Sequence, residues 1–431
     1  MLTVGFHTLG CKVNQQETSA MAAQFTAAGF RIVNYSDRAE VYVINSCAVT
    51  EAAERKTKTY ARRKKKMHPT ALIVLAGCFP QVALNDARAL EVDLLVGSND
   101  KSRLVTLVQA ALTMRRQHIE VTPWADDAPF DFIAEDANGG RTRGMLKVQD
   151  GCEQYCAYCI IPYARGRERS LDLSKVLLQA QRLIEQGTHE IVLTGIHLGA
   201  YGRDLVPPLN LATLVRELCS LPHLPRLRLG SVEPLDITAE FLESVKNSPQ
   251  SCPHFHLPLQ SGSNAVLRRM KRPYTVEEFA AIVGRLRSVH SDVSITSDII
   301  VGFPGETDEE FNESLAFVRA MEFGRVHVFR YSRRRGTVAA AMAEQVSDEV
   351  KEVRYQAMQA VAALAQQDMA KRFLNRTVEV LVEGKQGELL SGYSPSYMRV
   401  YFSGSKMLVG RLVDITVTEL YADGVRGDLA E

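Results

Sequence analysis

The sequence predicts an α/β protein in three parts: an N-terminal doubly wound α/β domain, a central partial (βα)6 barrel and a small antiparallel C-terminal β-barrel. Three observations carry this expectation. Short, β-branched apolar runs alternate with helix-length segments through the first 120 residues. Six strand–helix repeats at longer spacing follow over residues 144–345. The last segment then changes to strand-like runs separated by glycine-rich turns.

In the first part, Thr3–Leu9, Val41–Ile44 and Leu72–Ala76 read as buried parallel strands. Gln15–Ala28 and Glu51–Met67 have helical length between them, and Gly29 suits the end of the first helix. Thr122–Arg143, carrying Pro, Asp and Gly-Gly without periodicity, reads as a linker. In the second part, the strands expected are Gly144–Val148, Glu190–Leu193, Arg226–Leu229, Phe255–Leu257, Ile295–Val301 and Val326–Phe329. Ser174–Gln186, Leu211–Leu218 and Val276–Val289 fit as helices, and a helix from Asp348 to Phe373 leads out. In the third, Thr377–Val382, Met398–Phe402, Leu408–Val413 and Asp414–Leu420 read as four strands of a small barrel of the kind that often holds RNA. The expected domains are therefore 1–120, a linker 121–143, a barrel 144–345, a connecting helix 346–373 and a β-barrel 374–431.

A chain of 431 residues, 46% apolar and 23% charged, suits two or three domains with cores of their own. Its longest apolar run, near Ala71–Phe79, is too short to cross a bilayer, so no membrane partner is expected. Met1–His7 lacks the basic-then-apolar pattern of a secretion signal. The expected location is the cytoplasm, where reduced thiols bind metals or catalyse. With a net charge of +1, any nucleic-acid surface must be a local patch.

The chemistry is concentrated in cysteines. Cys152, Cys156 and Cys159 are spaced C-x3-C-x2-C. Three such thiols can ligate three irons of one cubane cluster and leave the fourth iron open to a small molecule. Zinc is an alternative, but it usually takes four ligands, and no fourth Cys or His stands nearby. Buried, unligated cysteines are the plain alternative. A second set, Cys11, Cys47 and Cys78, follows three expected strands by two or three residues each. Parallel strands present their carboxyl ends on one rim, where doubly wound folds bind ligands, so these three can converge on a second cluster. Gly10 and Gly77 would let the backbone approach it closely. Three ordinary buried cysteines are the competing reading. Cys219 and Cys252 lack such company, and Cys219 reads as core.

Cys152-x3-Cys156-x2-Cys159, with Tyr158 before the last cysteine, resembles the signature of radical S-adenosylmethionine (SAM) enzymes. Leu193-Thr-Gly-Ile, Ser231-Val-Glu-Pro234, His256–Ser263 and Asp298–Thr307 add to the likeness. With the N-terminal triplet and the C-terminal barrel, which resembles a TRAM domain, the chain is similar to methylthiotransferases over almost its full length. Thr8-Leu-Gly-Cys-Lys-Val-Asn14 resembles the branch acting on N6-threonylcarbamoyladenosine in tRNA, the MtaB type.

The resemblance implies two 4Fe–4S clusters and S-adenosyl-L-methionine, which chelates the open iron on Cys152, Cys156 and Cys159 and is cleaved to a 5′-deoxyadenosyl radical. It implies that the radical activates carbon 2 of an adenine, while the cluster on Cys11, Cys47 and Cys78 supplies sulfur that a second SAM methylates. It implies no side-chain acid or base. For SAM it points to Tyr158, Gly195, Ser231, Glu233, Gly302 and Pro304, with His256 and Gln260 near the same mouth. The implied partners are the anticodon loop of tRNA, an electron donor such as flavodoxin or ferredoxin, and a sulfur source. Candidate RNA contacts are Arg333, Arg334, Arg335, Arg399 and Arg411, together with the basic run Arg55–Lys66. That run is equally explained as a solvated helix face whose polarity complements the helix dipole. Rival readings are the isopentenyladenosine branch, methylthiolation of a ribosomal protein and, in another class, a non-catalytic iron–sulfur RNA-binding sensor.

Overall fold

The computed structural model describes every residue except 114–116, 126, 134–141, 291 and 431. Its described residues fall into two compact units, one from 1–139, 147–172 and 332–340 and the other from 140–146, 173–331 and 341–431. Part of the expected linker, residues 126 and 134–141, lies outside the described residues.

The first unit is built on β1 (Thr3–Thr8), α1 (Lys12–Ala27), β2 (Arg31–Val33), β3 (Val41–Ser46), α2 (Glu51–Met67), β4 (Leu72–Gly77), α3 (Cys78–Val82), α4 (Leu84–Arg88), β5 (Leu94–Val96), α5 (Leu104–Ala111) and β6 (His118–Glu120). The strands form one parallel sheet in the order β2-β1-β3-β4-β5-β6. Strands β3 and β4 are buried along their whole length, as a central parallel sheet covered on both faces requires. Val41, Val43 and Val74 face a core shared with Phe25 of α1 and Leu104 and Leu107 of α5. Ile44, Ile73 and Leu75 face another, with Ala61 of α2 and Phe79 of α3. The sequence reading named β1, β3 and β4 and passed over β2, β5 and β6. Those three have only three residues each, too few to show periodicity. After α1, Gly29 takes φ +84° beyond the helix end, the role expected of it.

The remaining strands and helices of the chain begin with β7 (Gly144–Lys147), β8 (Gln149–Asp150), α6 (Ile161–Arg165), β9 (Arg169–Ser170), α7 (Leu173–Glu185), β10 (Ile191–Thr194), α8 (Leu211–Cys219) and β11 (Leu227–Leu229). They continue with α9 (Ala239–Lys246), β12 (His254–His256), α10 (Asn264–Arg269), α11 (Val276–Val289), β13 (Ser294–Val301), α12 (Asp308–Ala320), β14 (Arg325–Arg330), α13 (Val338–Ala341) and α14 (Asp348–Lys371). The barrel strands run β7-β10-β11 and β12-β13-β14. Single bridges, Leu227 to Ser251 and Ser231 to His256, join the two sets into a partial six-stranded barrel. Capping is local and sequence-encoded: Thr275 and Glu278 close the start of α11, and Thr307 and Glu310 that of α12, in reciprocal capping boxes.

The C-terminal strands are β15 (Thr377–Gln386), β16 (Leu389–Tyr393), β17 (Arg399–Phe402), β18 (Leu412–Tyr421) and β19 (Gly424–Leu429). They close into a barrel in the order β15-β16-β17-β19-β18. Its core of Val380, Val382, Leu390, Val400, Phe402, Ile415 and Val425 is completed by Met369 and Phe373 at the end of α14. The two strands expected at Leu408–Val413 and Asp414–Leu420 are instead a turn followed by one ten-residue strand. Gly410 at φ +84° breaks the chain before β18, and a register shift between Val417 and Glu419 lets β18 continue past its bend along β19.

Candidate functional site: two cysteine triplets in one unit

Cys11, Cys47 and Cys78 stand at the carboxyl ends of β1, β3 and β4, three neighbours in the sheet. The ladder aligns Thr8 with Asn45 and Ser46 with Gly77, so the chain reaches the three cysteines at nearly one level. Cys11 is exposed, and Cys47 and Cys78 are buried. Cys11 occupies the N-cap position of the sixteen-residue α1, and desolvation of its sulfur pushes its thiol up although Arg165 pulls the other way. Gly10 takes φ +103° and Gly77 φ +99°. A Cβ on Gly10 would sit 2.8 Å from the Cβ of Cys47. Glycine at position 10 is what lets this turn close on Cys47. Burial, with Cys78 nearby, pushes the Cys47 thiol up to about 12, while the Val49 N–H, 3.4 Å from its sulfur, pulls the other way. A thiol so raised stays protonated until a metal displaces the proton. Three free cysteines at neighbouring strand ends, near enough to influence one another electrostatically, fit a metal cluster.

Cys152, Cys156 and Cys159 belong to the same unit. Their loop is short and self-bonded: the Cys152 N–H donates to Gly166 O at 3.1 Å and the Cys159 N–H to Cys156 O at 2.9 Å. Gly151, at φ +76°, lies so close to the Arg167 carbonyl that a Cβ would fall 1.8 Å from its oxygen. Cys156 is buried, Cys152 and Cys159 partly so, which suits ligands of a cluster that must meet a small molecule.

The segments that carry the two triplets meet at one apolar contact. Cys78 and Ala48 form one apolar cluster with Ile160, which follows Cys159, and Ala164 of α6. Beside this contact lies a buried charge network that the sequence reading missed. Arg165, fully buried, sets Nη1 2.7 Å from Glu17 Oε1 and 3.1 Å from both oxygens of Asp150, and Nη2 2.5 Å from Asn14 Oδ1. Lys147 bonds Glu17 at 2.8 Å and Asp150 at 2.7 Å, and Lys101 also pairs with Glu17. Burial opposes the charge on Glu17 and Asp150, but Arg165 and the lysines hold both carboxyls below the usual range. The only signal in the sequence was positional: Glu17 comes six residues after Cys11, and Arg165 six after Cys159.

The other residues singled out from sequence divide. Tyr158 is partly buried in the cysteine loop. In the second unit Gly195 follows β10 directly, and Ser231 is exposed just past β11. Glu233 is engaged by the guanidinium of Arg272, so its carboxylate has a resident partner. Gly302 and Pro304 are buried in a turn closed on itself. The Gly302 N–H donates to Glu306 at 2.6 Å, Arg354 holds the same carboxylate at 2.8 Å, and Lys351 fills the space a Cβ on Gly302 would need. His256, Asp298 and His327, on β12, β13 and β14, bring ligand atoms within 4.8 Å of one another. Of these, His327 was not foreseen, because its neighbours meet it only through strand pairing.

The basic residues divide as well. Arg334 is no surface charge: it is 6% exposed and its Nη2 lies 2.5 Å from Glu54, which removes it from the RNA-contact set. Arg333 and Arg335 are exposed. Arg399 bonds Asp423 at 3.2 Å and Gln386 at 2.6 Å, whereas Arg411 is exposed. Along α2, Lys64 is buried against Tyr35 and Tyr42, and Lys58 and Lys65 pair with Asp86 and Asp93. Arg55, Lys56, Arg62, Arg63 and Lys66 face solvent.

Among known proteins, residues 146–318 match the radical SAM superfamily and residues 3–97 match an uncharacterized protein family, UPF0004. The chain is 38% identical over 424 residues to the threonylcarbamoyladenosine tRNA methylthiotransferase MtaB of Bacillus subtilis, covering 97% of this chain and 94% of that one. It is 34% identical to a tRNA-2-methylthio-N(6)-dimethylallyladenosine synthase of Bacillus velezensis, covering 98% and 85%. Among solved structures it resembles the radical S-adenosylmethionine methyltransferase TsrM of Kitasatospora setae, with a TM-score of 0.56 at 14% identity over 76% of this chain and 72% of that one. At that identity the likeness is one of fold.

Proposed function

The chain belongs to the threonylcarbamoyladenosine tRNA methylthiotransferase family, and from that membership we propose that it methylthiolates carbon 2 of N6-threonylcarbamoyladenosine beside the anticodon of tRNA, giving 2-methylthio-N6-threonylcarbamoyladenosine. It is a radical SAM enzyme that transfers a sulfur-containing group, and its superfamily implies S-adenosylmethionine and a 4Fe–4S cluster. We assign that cluster to Cys152, Cys156 and Cys159, and a second, sulfur-donating one to Cys11, Cys47 and Cys78. When bound, these groups and two molecules of SAM supply the radical, the sulfur and the methyl group.

The chain's own part is to hold and separate the two centres. One observation carries the two-cluster reading: both triplets lie in one compact unit, with Cys78 packed on Ile160 beside Cys159. A sulfur donor and a radical source must act on one carbon, and an apolar contact between the segments that carry them keeps them in register. Tyr158, Gly195, Ser231, Gly302 and Pro304 remain the residues we assign to SAM. For Glu233 the same role requires that Arg272 release or share its carboxylate. The division into domains at 1–120, 144–345 and 374–431, a cytoplasmic location, an electron donor such as flavodoxin or ferredoxin and a separate sulfur source complete the proposal. No helix among the described residues is long and apolar enough to cross a membrane. The unpaired target base can enter a pocket without melting a duplex.

The test is anaerobic reconstitution, incubation of tRNA bearing N6-threonylcarbamoyladenosine with SAM and a reductant, and nucleoside analysis. The methylthio product is expected on that nucleoside and not on isopentenyladenosine. Formation of methionine and 5′-deoxyadenosine without any methylthio-adenosine would leave the radical chemistry standing and sink the tRNA assignment.

A further inference from the structure

Arg165 ends α6 in the first unit. It is 0% exposed, and four of its hydrogen bonds go to the carboxylates of Glu17 and Asp150 at 2.7–3.2 Å. Its Nη2 donates to Asn14 Oδ1 at 2.5 Å, and that same oxygen is 3.9 Å from the sulfur of Cys11. The preceding residue, Ala164, packs on Cys78. The guanidinium is therefore carried by the segment that follows one cysteine triplet, and is bracketed by neighbours of the other. Despite full burial, its Nε–H has no acceptor among the described residues. The guanidinium is close enough to Cys11, Cys47 and Cys78 for its charge to act on all three sulfurs.

We propose that Arg165 is a positioning and tuning residue for the metal group held by Cys11, Cys47 and Cys78. Glu17, Asp150 and Asn14 fix the guanidinium in place, and its charge stabilises the more negative, reduced form of that group. The inference rests on the assignment of a second cluster to that triplet. Its sign follows from electrostatics alone: a fixed positive charge raises the reduction potential of a nearby anionic centre, and a fixed negative charge lowers it. At an effective dielectric constant near 20, a unit charge about 12 Å away still changes an equilibrium about tenfold. Tenfold is about 59 mV for a one-electron couple. Lysine at this position would keep the charge and lose the fork.

The experiment uses the full-length chain with Cys152, Cys156 and Cys159 replaced by Ala, so that only the N-terminal centre gives a signal. Potentiometry with electron paramagnetic resonance is read in this parent and with Arg165→Gln, Arg165→Lys or Glu17→Gln added. The expected result is about four irons per chain in the parent. Arg165→Gln then lowers the potential by about 59 mV or more, Arg165→Lys leaves it near the parent value, and Glu17→Gln raises it. A structural role cannot give opposite signs for the two neutralisations. Equal potentials in all variants, or shifts of Arg165→Gln and Glu17→Gln in one direction, would overturn the inference. If Arg165→Gln does not fold, Glu17→Gln decides alone, and a potential that fails to rise refutes the tuning. A parent that folds but binds no iron refutes the second cluster itself, an outcome separate from unchanged potentials at full iron content.

Discussion

Gly10 and Cys47 approach so closely that a Cβ on the glycine would lie 2.8 Å from the Cys47 Cβ and 2.9 Å from its sulfur. Gly10 also stands at φ +103°, where an L side chain is strained. Gly10→Ala must therefore push Cys47 away from its two partners or unwind the turn into α1. The expected outcome is a folded protein whose iron content falls from about eight to about four per chain, with cleavage of SAM to 5′-deoxyadenosine retained. Gly29→Ala is the control. It shares a positive φ, +84°, but a Cβ there would meet nothing within 4 Å, so iron should stay at the wild-type level. Iron and sulfide analysis of the two variants decides the matter.

Glu17 touches three buried cations: Lys101, Lys147 and Arg165. Glu17→Ala leaves them with too few acceptors, and breaking a buried pair in this way costs about 3–5 kcal/mol. Asp292 also pairs with an arginine, Arg376, at 2.6 Å, but both side chains are 44% exposed. Solvent screens that pair, so Asp292→Ala should cost about 1 kcal/mol or less. Denaturant unfolding of the two variants compares them directly. Equal losses would show that Glu17 does not hold a buried charge network together.

The same residues show where sequence reasoning reaches and where it stops. The six cysteines were legible because their spacing, and their place after apolar runs, are local patterns. Gly10 and Gly77 were legible for the same reason. Glu17 was not: on a helix with so many polar residues it looks like part of a solvated face, and its cations come from 84 to 148 positions away. The Arg55–Lys66 run shows the converse. Its composition reads as one basic face, yet the fold buries Lys64 between two tyrosine rings and pairs Lys58 and Lys65 with acids on α4 and before β5. Long-range partners, rather than local propensity, decided each of these positions.

Acid should dissolve this charge network late. Glu17 and Asp150 have folded-state values held below the ordinary carboxylate range, so the stability they give is fully present above about pH 4. It is lost as pH falls below that, through the depressed folded values. Asp131 works in the opposite sense, because burial pushes its carboxyl up, so protonating it favours the fold. Lys147 and Arg165, whose values their carboxylate partners hold up against burial, keep their charge throughout this range. Trp124, the only tryptophan in the chain, packs on Gly166 and lies 4.2 Å from the Arg169 guanidinium. Its emission in metal-free protein should hold steady down to about pH 4 and change below it. A transition centred near neutral pH would contradict the assigned charges.

The basic residues of α2 offer a test of how tRNA is met. Arg55, Lys56, Arg62, Arg63 and Lys66 are exposed, while Lys58 and Lys65 are tied to Asp86 and Asp93. A phosphate backbone is attracted to charges that are not already neutralised, and each contact displaces a counterion. Replacing Arg62 or Arg63 by Ala should weaken tRNA binding in low salt and reduce the slope of log affinity against log salt by about 1 per contact. Lys58→Ala should leave the slope nearly unchanged. Arg334→Ala should act differently again, lowering stability by leaving Glu54 without its 2.5 Å partner. Binding measured from 50 to 200 mM salt separates these cases. If the exposed arginines of α2 leave the slope untouched while Arg333 or Arg411 changes it, the RNA lies elsewhere and α2 is a solvated helix face.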